Sequence, residues 1–175
     1  RPPRSTLSSS SAASDVYKRQ FQMRAMILAA GLGKRMRPLT ENTPKPLLKV
    51  DGKPLVEHLI EHLIAGGVTG VVINHHHLGE MIKNFLGDGS KFGIEILYSE
   101  EVDLLETGGG IINSLPKLKD ESFIVVNADV WTDFDFNRLD YINGDQCLAH
   151  LVLVKNTKEN PTGDFYINQS GLIYD

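Results

Sequence analysis

The stretch Met26-Ile-Leu-Ala-Ala-Gly-Leu-Gly-Lys-Arg-Met-Arg-Pro-Leu-Thr40, continued by Thr43-Pro-Lys-Pro46, combines an apolar run with glycines and cations. Its first five residues are apolar, which is typical of a parallel strand that is buried on both faces. Gly31 and Gly33 follow, and glycine lets the backbone turn tightly and approach a ligand closely. Four cations come next, namely Lys34, Arg35, Arg37 and Lys45. Glycine amides and cations at the end of a buried strand predict a polyanion site, and a nucleoside triphosphate fits it best.

The composition narrows the classes of protein that this sequence fits. The 175 residues are 41% hydrophobic and 23% charged, which is typical of a globular domain with its own core. The net charge of -4 argues against a general nucleic-acid binder, so the basic cluster is local. One cysteine, Cys147, excludes an internal disulfide and fits a reducing compartment, which predicts a cytoplasmic protein. No apolar run reaches the roughly 18 residues of a membrane span, and we expect no membrane partner.

The two ends of the sequence differ from its middle. Residues 1–22 have no hydrophobic period and resemble vector-derived sequence, so we expect a non-native or disordered tail. Near the other end, Phe165-Tyr-Ile and Leu172-Ile-Tyr are predicted strands joined by a turn, and the sequence stops inside the second one. We therefore expect residues 23–175 to be one domain that is incomplete at its C-terminus.

Strand and helix patterns alternate along the chain. Apolar residues at steps of three and four after Pro54 predict a helix over 55–64, closed by two glycines. Further helices are predicted over 78–86 and over 107–115, the latter stopping at Pro116. Strands are predicted over 47–50, 68–74, 92–98, 123–128 and 146–154, with a terminal hairpin around Tyr166 and Leu172. The alternation predicts an α/β fold with a mostly parallel central sheet and helices on both faces.

Three informative segments follow predicted parallel strands. They are residues 31–37, residues 74–77 and residues 129–135. Ligands of open α/β sheets lie outside the carboxyl ends of the strands, so we expect one shared site there. Asp129 directly follows a buried strand, and its carboxylate is suited to hold Mg2+ on a triphosphate, although aspartates at strand ends also cap turns. Asp133 and Asp135 are expected to serve the surface or a turn.

Two known phosphate-binding patterns do not fit the glycine-rich loop. A dinucleotide fingerprint would have a third glycine where Met36 stands, and Pro38 prevents a helix from running smoothly out of the loop. A Walker A loop requires Lys-Ser or Lys-Thr, whereas Lys34 is followed by Arg35. The loop therefore binds phosphates by a different design.

Three other motifs leave alternatives open. Lys45 between two prolines is either a surface lysine in a turn or a phosphate contact, and the neighbouring cations favour the contact. The residues His75-His-His77 point in different directions along a strand, which disfavours a zinc site. Glu106-Thr-Gly-Gly-Gly110 opens a helix, where its glycines serve either packing or close approach to a base or ribose.

The quoted stretch over 26–40, with Thr43-Pro-Lys-Pro46, resembles the signature of the sugar-1-phosphate nucleotidyltransferases. The resemblance continues through Val72-Ile-Asn-His75, Leu105-Glu-Thr-Gly-Gly-Gly110 and Val126-Asn-Ala-Asp-Val-Trp-Thr-Asp133. These later stretches are most similar to the bacterial branch that uridylylates N-acetylmuramic acid 1-phosphate in peptidoglycan recycling. The resemblance implies a Rossmann-like nucleotidyltransferase fold, Mg2+ as cofactor, and a nucleoside triphosphate and a sugar 1-phosphate as substrates.

The resemblance also implies roles for individual residues. Arg35, Lys45 and Asp129 would be catalytic, and Asp129 would bind the metal. Nucleotide contacts would come from Leu28, Ala29, Ala30, Gly31, Gly33, Lys34, Arg35, Lys45, Asn74, Glu106, Thr107 and Gly108. Sugar contacts would come from Asn127, Trp131, Gly163 and Asp164. In related enzymes a second acidic metal ligand lies on a later strand, which we expect beyond residue 175.

Two other functions remain open from the sequence. One is a nucleotidyltransferase of different specificity, acting on glucose 1-phosphate or mannose 1-phosphate with UTP, dTTP or GTP. The other is a nucleotide-binding module without catalysis, because the second metal ligand is expected outside the chain. The sequence predicts no oligomeric state.

Overall fold

The computed structural model describes residues 23–119, 122–139, 148–158 and 160–174. The predicted tail over 1–22 and Cys147 lie outside these ranges. The chain forms two compact units, which divide between Leu139 and Asp140. None of the helices in the described ranges is long and apolar enough to cross a membrane.

The first unit is built on a parallel sheet. Its strands are β1 (Met23–Leu28), β2 (Lys49–Val50), β3 (Lys53–Pro54), β4 (Val68–His75), β5 (Glu95–Glu100) and β6 (Phe123–Asn127), and its helices are α1 (Leu55–Ala65), α2 (Gly79–Leu86) and α3 (Glu106–Leu118). The central sheet has the order β5-β4-β1-β6, and all its pairings are parallel. This topology confirms the predicted α/β fold.

The core lies on both faces of the central strand β1. Ala25 and Ile27 are buried in one cluster with apolar residues of α1 and α2, and Met26 is buried in another cluster with Leu118 of α3. Successive side chains of a strand point to opposite faces, so a strand covered on both sides requires an uninterrupted apolar run. The helices therefore cover both faces of the sheet, as the sequence pattern predicts.

Residues 47–54 differ from the predicted strand over 47–50. Leu47 ends a 3-10 helix, and within 47–50 only Lys49–Val50 forms a strand. This short strand pairs antiparallel with Lys53–Pro54, and the residues between, Asp51 and Gly52, have φ of 51° and 80°. Two positive-φ residues make the tight hairpin turn that Asp-Gly favours, so the turn closes a hairpin before α1 begins.

Two predicted boundaries shift in the structure. The helix predicted over 107–115 runs from Glu106 to Leu118 with Pro116 inside it. Pro116 lies near the C-terminal end, where one lost backbone hydrogen bond is tolerated, and the buried Leu118 packs the last turn onto the sheet. The strand predicted from Phe92 begins at Glu95, because residues 90–92 form a 3-10 turn that ends at Gly93 with φ 72°.

The second unit contains the predicted terminal hairpin. Strands β7 (Tyr166–Ile167) and β8 (Ile173–Tyr174) pair antiparallel, and the Gly171 N–H donates to the Asn168 carbonyl at 3.0 Å across the turn. The strand predicted over 146–154 is wrong for its described part, since residues 148–154 form no strand. The described part of the chain offers this segment no pairing strand, and its side chains are exposed, Leu148 and Val154 among them.

His75 at the end of β4 is buried, and neither of its ring nitrogens has a hydrogen-bond partner among the described residues. Burial lowers the pKa of its imidazole, and the Lys83 ammonium lowers it further, while the carboxylates of Glu100, Glu80 and Glu101 oppose the shift. The folded protein therefore holds His75 neutral at a pH where the unfolded chain protonates it.

We expect the free energy of unfolding to fall as the pH drops below the ordinary histidine pKa of about 6.5. Below that pH the unfolded chain binds a proton at His75, whereas the folded protein binds it only at a lower pH. The contribution of His75 to the free energy of unfolding is therefore complete above the ordinary pKa and is lost as the pH falls below it. Urea unfolding at pH 7.5 and pH 5.5 measures the difference. His75→Phe, which retains an aromatic ring beside Tyr98, should reduce it, and an unchanged pH dependence would contradict this origin.

Candidate active site

A pocket of about 470 Å³ lies at the carboxyl ends of the four central strands. Strands β1, β4 and β6 each contribute a residue to it, and the residue that follows β5 also lines it, because parallel strands end at one edge of the sheet. Its lining residues are Leu28, Ala29, Ala30, Gly31, Leu32, Gly33, Lys34, Arg35, Met36, Lys45, Pro46, Asn74, Glu101, Leu104, Glu106, Thr107, Asn127, Ala128 and Asp129. The three segments predicted to share one site thus meet in this pocket.

The glycine-rich loop forms one wall of the pocket. Gly33 has φ 61° and precedes a 3-10 turn over Lys34–Met36, in which the Met36 N–H donates to the Gly33 carbonyl at 2.9 Å. The buried Thr40 hydroxyl donates to the same carbonyl at 2.8 Å. A Cβ atom on Gly33 would lie 3.0 Å from Thr40 Cγ2, whereas one on Gly31 would meet open space. Thr40 therefore stabilises the loop from behind and leaves Gly31 accessible.

Lys45 and Asp129 meet across the pocket. Pro44 precedes the 3-10 helix that begins at Lys45, and Asp129 follows the end of β6. The Lys45 Nζ donates to Asp129 Oδ2, with both side chains about one third exposed. Among the described residues, the other cations of the wall, Lys34 and Arg35, form no ion pair, so their charges are available to an anionic ligand.

Asn74 and Glu101 form a buried polar network at the bottom of the pocket. The Ala29 N–H donates to Asn74 Oδ1 at 2.8 Å, and Asn74 Nδ2 donates to Glu101 Oε1 at 2.7 Å. The Leu105 N–H donates to the other carboxylate oxygen, Glu101 Oε2, at 3.0 Å. Asn74 and Glu101 are 2% and 3% exposed, so nearly all of their contacts are with the protein.

The three glycines of α3 have different surroundings. A Cβ atom on Gly110 would lie 2.7 Å from both Asn74 Nδ2 and Glu101 Oε1, and one on Gly109 would lie 2.9 Å from the Leu105 Cβ. A Cβ atom on Gly108 would meet open space. Gly110 is thus required by packing against the polar network, which is one of the two roles that the sequence left open for these glycines.

Four of the predicted site residues do not line the pocket. Gly108 is exposed on α3, and Trp131 is 63% exposed with its ring centroid 4.9 Å from that of His58. Gly163 and Asp164 belong to the second unit, where Asp164 Oδ1 accepts from Asn160 Nδ2 at 3.0 Å. Their predicted contacts with nucleotide or sugar stay predictions.

Glu101 and Leu104 also line the pocket, although they are not among the residues that the sequence predicts for the site. Glu101 directly follows β5, and the rule that ligands lie at the carboxyl ends of parallel strands could have identified it. The strand before it was predicted to end at Tyr98, which left Glu101 in an unassigned loop. Its acceptance of two hydrogen bonds is visible only in the folded chain.

The histidines and carboxylates are spread rather than clustered. Neighbouring side chains diverge along the strand, so His75 packs against Gly79 while the His76 Nδ1 lies 2.8 Å from the Glu101 carbonyl. Within the described ranges, no group of three or more His, Cys, Asp or Glu residues is placed to hold a metal ion. A metal at Asp129 would need further ligands from a substrate or from outside these ranges.

Comparison with known proteins identifies the family. The family model described as nucleotidyl transferase matches residues 24–165. The chain belongs to the nucleotidyl transferase family. This confirms the family that the motifs around the glycine-rich loop and Lys45 resemble.

This nucleotidyl transferase is similar to two curated uridylyltransferases. It is 52% identical over 147 residues to N-acetylmuramate alpha-1-phosphate uridylyltransferase of Neisseria meningitidis serogroup B, covering 82% of this chain and 64% of that relative. It is 34% identical over 160 residues to the enzyme of the same name from Caulobacter vibrioides, covering 85% of this chain and 66% of that relative. The chain therefore spans just under two thirds of the length of these curated relatives.

A solved structure also shares the fold. HddC from Yersinia pseudotuberculosis in complex with GMP-PN is 28% identical and aligns with a TM-score of 0.59, covering 66% of this chain and 51% of that chain. The parallel sheet therefore belongs to a fold that this nucleotidyl transferase shares with HddC.

We expect Gly110→Ala to lower the free energy of unfolding by about 1–3 kcal/mol, because the added methyl overpacks the buried network. Gly108→Ala is the matched control, since the same methyl on the same helix meets open space. That control should be neutral or stabilising by up to about 1 kcal/mol, because alanine favours helix. Urea unfolding of the two variants measures both effects, and equal changes would contradict the packing role of Gly110.

Proposed function

We propose that this chain carries the nucleotide-binding part of a uridylyltransferase that joins UTP and N-acetylmuramic acid 1-phosphate. The products would be UDP-N-acetylmuramic acid and pyrophosphate. One observation carries the proposal, namely that Lys45 and Asp129 meet in the same pocket as the glycine-rich loop. The choice of sugar and nucleotide is supported by the 52% identity to the Neisseria relative.

The triphosphate would lie against the wall formed by the glycine-rich loop. Gly31 is open to the pocket, and Lys34 and Arg35 carry charges that no described carboxylate neutralises. Backbone N–H groups and a guanidinium fork are the donors that best match phosphate oxygens. Arg35 and Lys45 would then hold the phosphates at the reacting centre.

The proposed reaction is an in-line nucleotidyl transfer. An oxygen of the sugar 1-phosphate forms a bond to the α-phosphorus of UTP, and the bond from that phosphorus to the bridging oxygen breaks. The electron pair leaves with pyrophosphate. Because the attacking oxygen is already anionic, no general base is needed, and catalysis consists of aligning two polyanions and stabilising the transition-state charge. A pocket of amides and cations is suited to that task.

Asp129 is the residue proposed to hold Mg2+. Its carboxylate is a hard oxygen ligand in the same pocket as the phosphate-binding wall, and Mg2+ commonly takes one or two carboxylates plus substrate phosphates. When bound, the ion would neutralise phosphate charge. In the structure Lys45 donates to this carboxylate, so the two groups are close enough to act on the same phosphates.

The base and the sugar would lie on other parts of the site. Glu106 and Thr107 line the pocket at the beginning of α3 and are proposed to face the uridine, with Gly108 next to them. Asn127, the last residue of β6, lines the pocket and is proposed to face the sugar, together with Trp131.

A place in peptidoglycan recycling and a cytoplasmic location form part of the same proposal. They are supported by the similarity to the Neisseria and Caulobacter relatives and by the single cysteine of the sequence. Small-molecule substrates are supported by the same similarity, and the net charge of -4 argues against a nucleic-acid partner.

We expect Lys45→Ala and Asp129→Ala in the full-length protein each to lower turnover at least about 100-fold, because each removes a group that stabilises transition-state charge. Pyrophosphate release measures turnover. Lys53→Ala is the matched control, because Lys53 pairs with Glu61 outside the pocket and its loss should leave turnover within about twofold. Near-normal turnover of either pocket variant would remove that residue from the mechanism.

We expect UTP with N-acetylmuramic acid 1-phosphate to give the highest kcat/KM in a panel of sugar 1-phosphates and nucleotides. The panel contains glucose, mannose and N-acetylmuramic acid 1-phosphates, each with UTP, dTTP and GTP, and pyrophosphate release is measured. A guanylyltransferase is the second candidate, supported by the GMP-PN complex of HddC at 28% identity. A preference for GTP would favour it, and nucleotide binding without pyrophosphate release would indicate a module without catalysis.

A further inference from the structure

Asn74 and Glu101 connect two walls of the pocket that are separate in sequence. Asn74 binds the backbone of Ala29, at the start of the glycine-rich loop. Glu101 binds the backbone of Leu105, in the segment that enters α3. The bond between Asn74 Nδ2 and Glu101 Oε1, 2.7 Å long, joins the two halves. The chain of contacts therefore runs from the proposed phosphate-binding wall to the proposed base-binding wall.

The donors and acceptors of this network define its chemistry. The Ala29 N–H can only donate, so the side-chain oxygen of Asn74 must face it and the amide nitrogen must face Glu101. Glu101 then meets donors on both sides, which suits an ionised carboxylate that only accepts. Burying a carboxylate without such partners is strongly unfavourable, so Glu101 needs both of its hydrogen bonds, and the buried Asn74 oxygen needs the third one, from Ala29.

Burial separates these two side chains from a ligand-contact role. Both are at most 3% exposed, and the Glu101 backbone is also held, since its N–H donates to the His75 carbonyl at 2.9 Å. Gly110 packs against both side chains and leaves no space for them to move towards α3. Their polar atoms are therefore directed at the protein.

We propose that Asn74 and Glu101 are a pair of positioning residues that hold the glycine-rich loop and the start of α3 at the separation a nucleoside triphosphate requires. The inference rests on the proposed function for the identity of the ligand, and it assigns Asn74 a different role from the nucleotide contact that the resemblance implies. The pair acts through the backbone of Ala29 and Leu105, and neither side chain needs to touch the nucleotide.

The pair can be tested by exchanging its functional groups. Glu101→Gln replaces one of two acceptors by a donor, so a donor faces a donor. Asn74→Asp places a second carboxylate against Glu101. When both substitutions are combined, the new carboxylate at position 74 accepts from the Ala29 N–H and from the new amide nitrogen at position 101. The amide oxygen at position 101 accepts from the Leu105 N–H, so all three hydrogen bonds, the shape and the net charge are restored.

Nucleotide affinity of the full-length protein is the first readout. We expect each single variant to raise the Kd and the KM for UTP about tenfold or more, the value typical of a lost buried hydrogen bond to a charged group. The kcat at saturating UTP should change less than about threefold. Misfolding would give the opposite pattern, because it would lower kcat by reducing the active fraction and leave KM unchanged. The double variant should return within about threefold of the wild-type Kd.

Hydrogen exchange of the protein without substrates is the second readout. We expect faster amide exchange over residues 29–33 and 102–110 in each single variant and wild-type exchange in the double variant. If the double variant restored wild-type exchange but not UTP affinity, the side chains would contact the ligand directly, and the proposal would be overturned. Unchanged exchange in the single variants would also overturn it. If wild-type protein fails to bind UTP, the proposed function fails, and the exchange pattern alone decides whether the pair positions the two walls.

Discussion

The parallel pairing of β1 between β4 and β6 is the constraint on which the rest of the structure depends. Leu28 is in register with Asn74 of β4 and with Asn127 of β6, so the three strands end within one residue of the same level. Each following segment then begins at one edge of the sheet. The glycine-rich loop, the buried amide of Asn74 and the carboxylate of Asp129 come together for this reason, although they are far apart in the sequence.

Two of the carboxylates that line the pocket, Asp129 and Glu101, have surroundings that give them different roles. Asp129 is about one third exposed and accepts from a lysine, so its charge is both accessible and balanced. Glu101 is buried and accepts from neutral amide donors, so its charge is used to hold backbone segments in place. A buried carboxylate is costly unless hydrogen-bond donors of the protein surround it. The two oxygens of Glu101 have such donors in Asn74 and Leu105. Burial, rather than residue type, separates the two roles.

Much of the fold could be predicted because it follows from local patterns. The apolar run of β1, the helical spacing of α1 and the glycines that end it at Gly66 are each determined by neighbouring residues. The predictions failed where distant packing prevailed, as at Pro116, which stays helical because the buried Leu118 holds the last turn. The strand predicted over 146–154 failed because the described part of the chain provides no pairing strand for residues 148–154.

The sequence by itself determined the class of fold and the family, and it predicted a phosphate-binding loop, because glycines, cations and apolar runs act through nearest neighbours. Only the tertiary structure decided that Lys45 binds Asp129, that Glu101 belongs to the site, and that Gly110 packs against buried polar atoms. Each of these contacts joins residues from different strands or helices. Their distances depend on sheet register and helix packing, which no local pattern specifies.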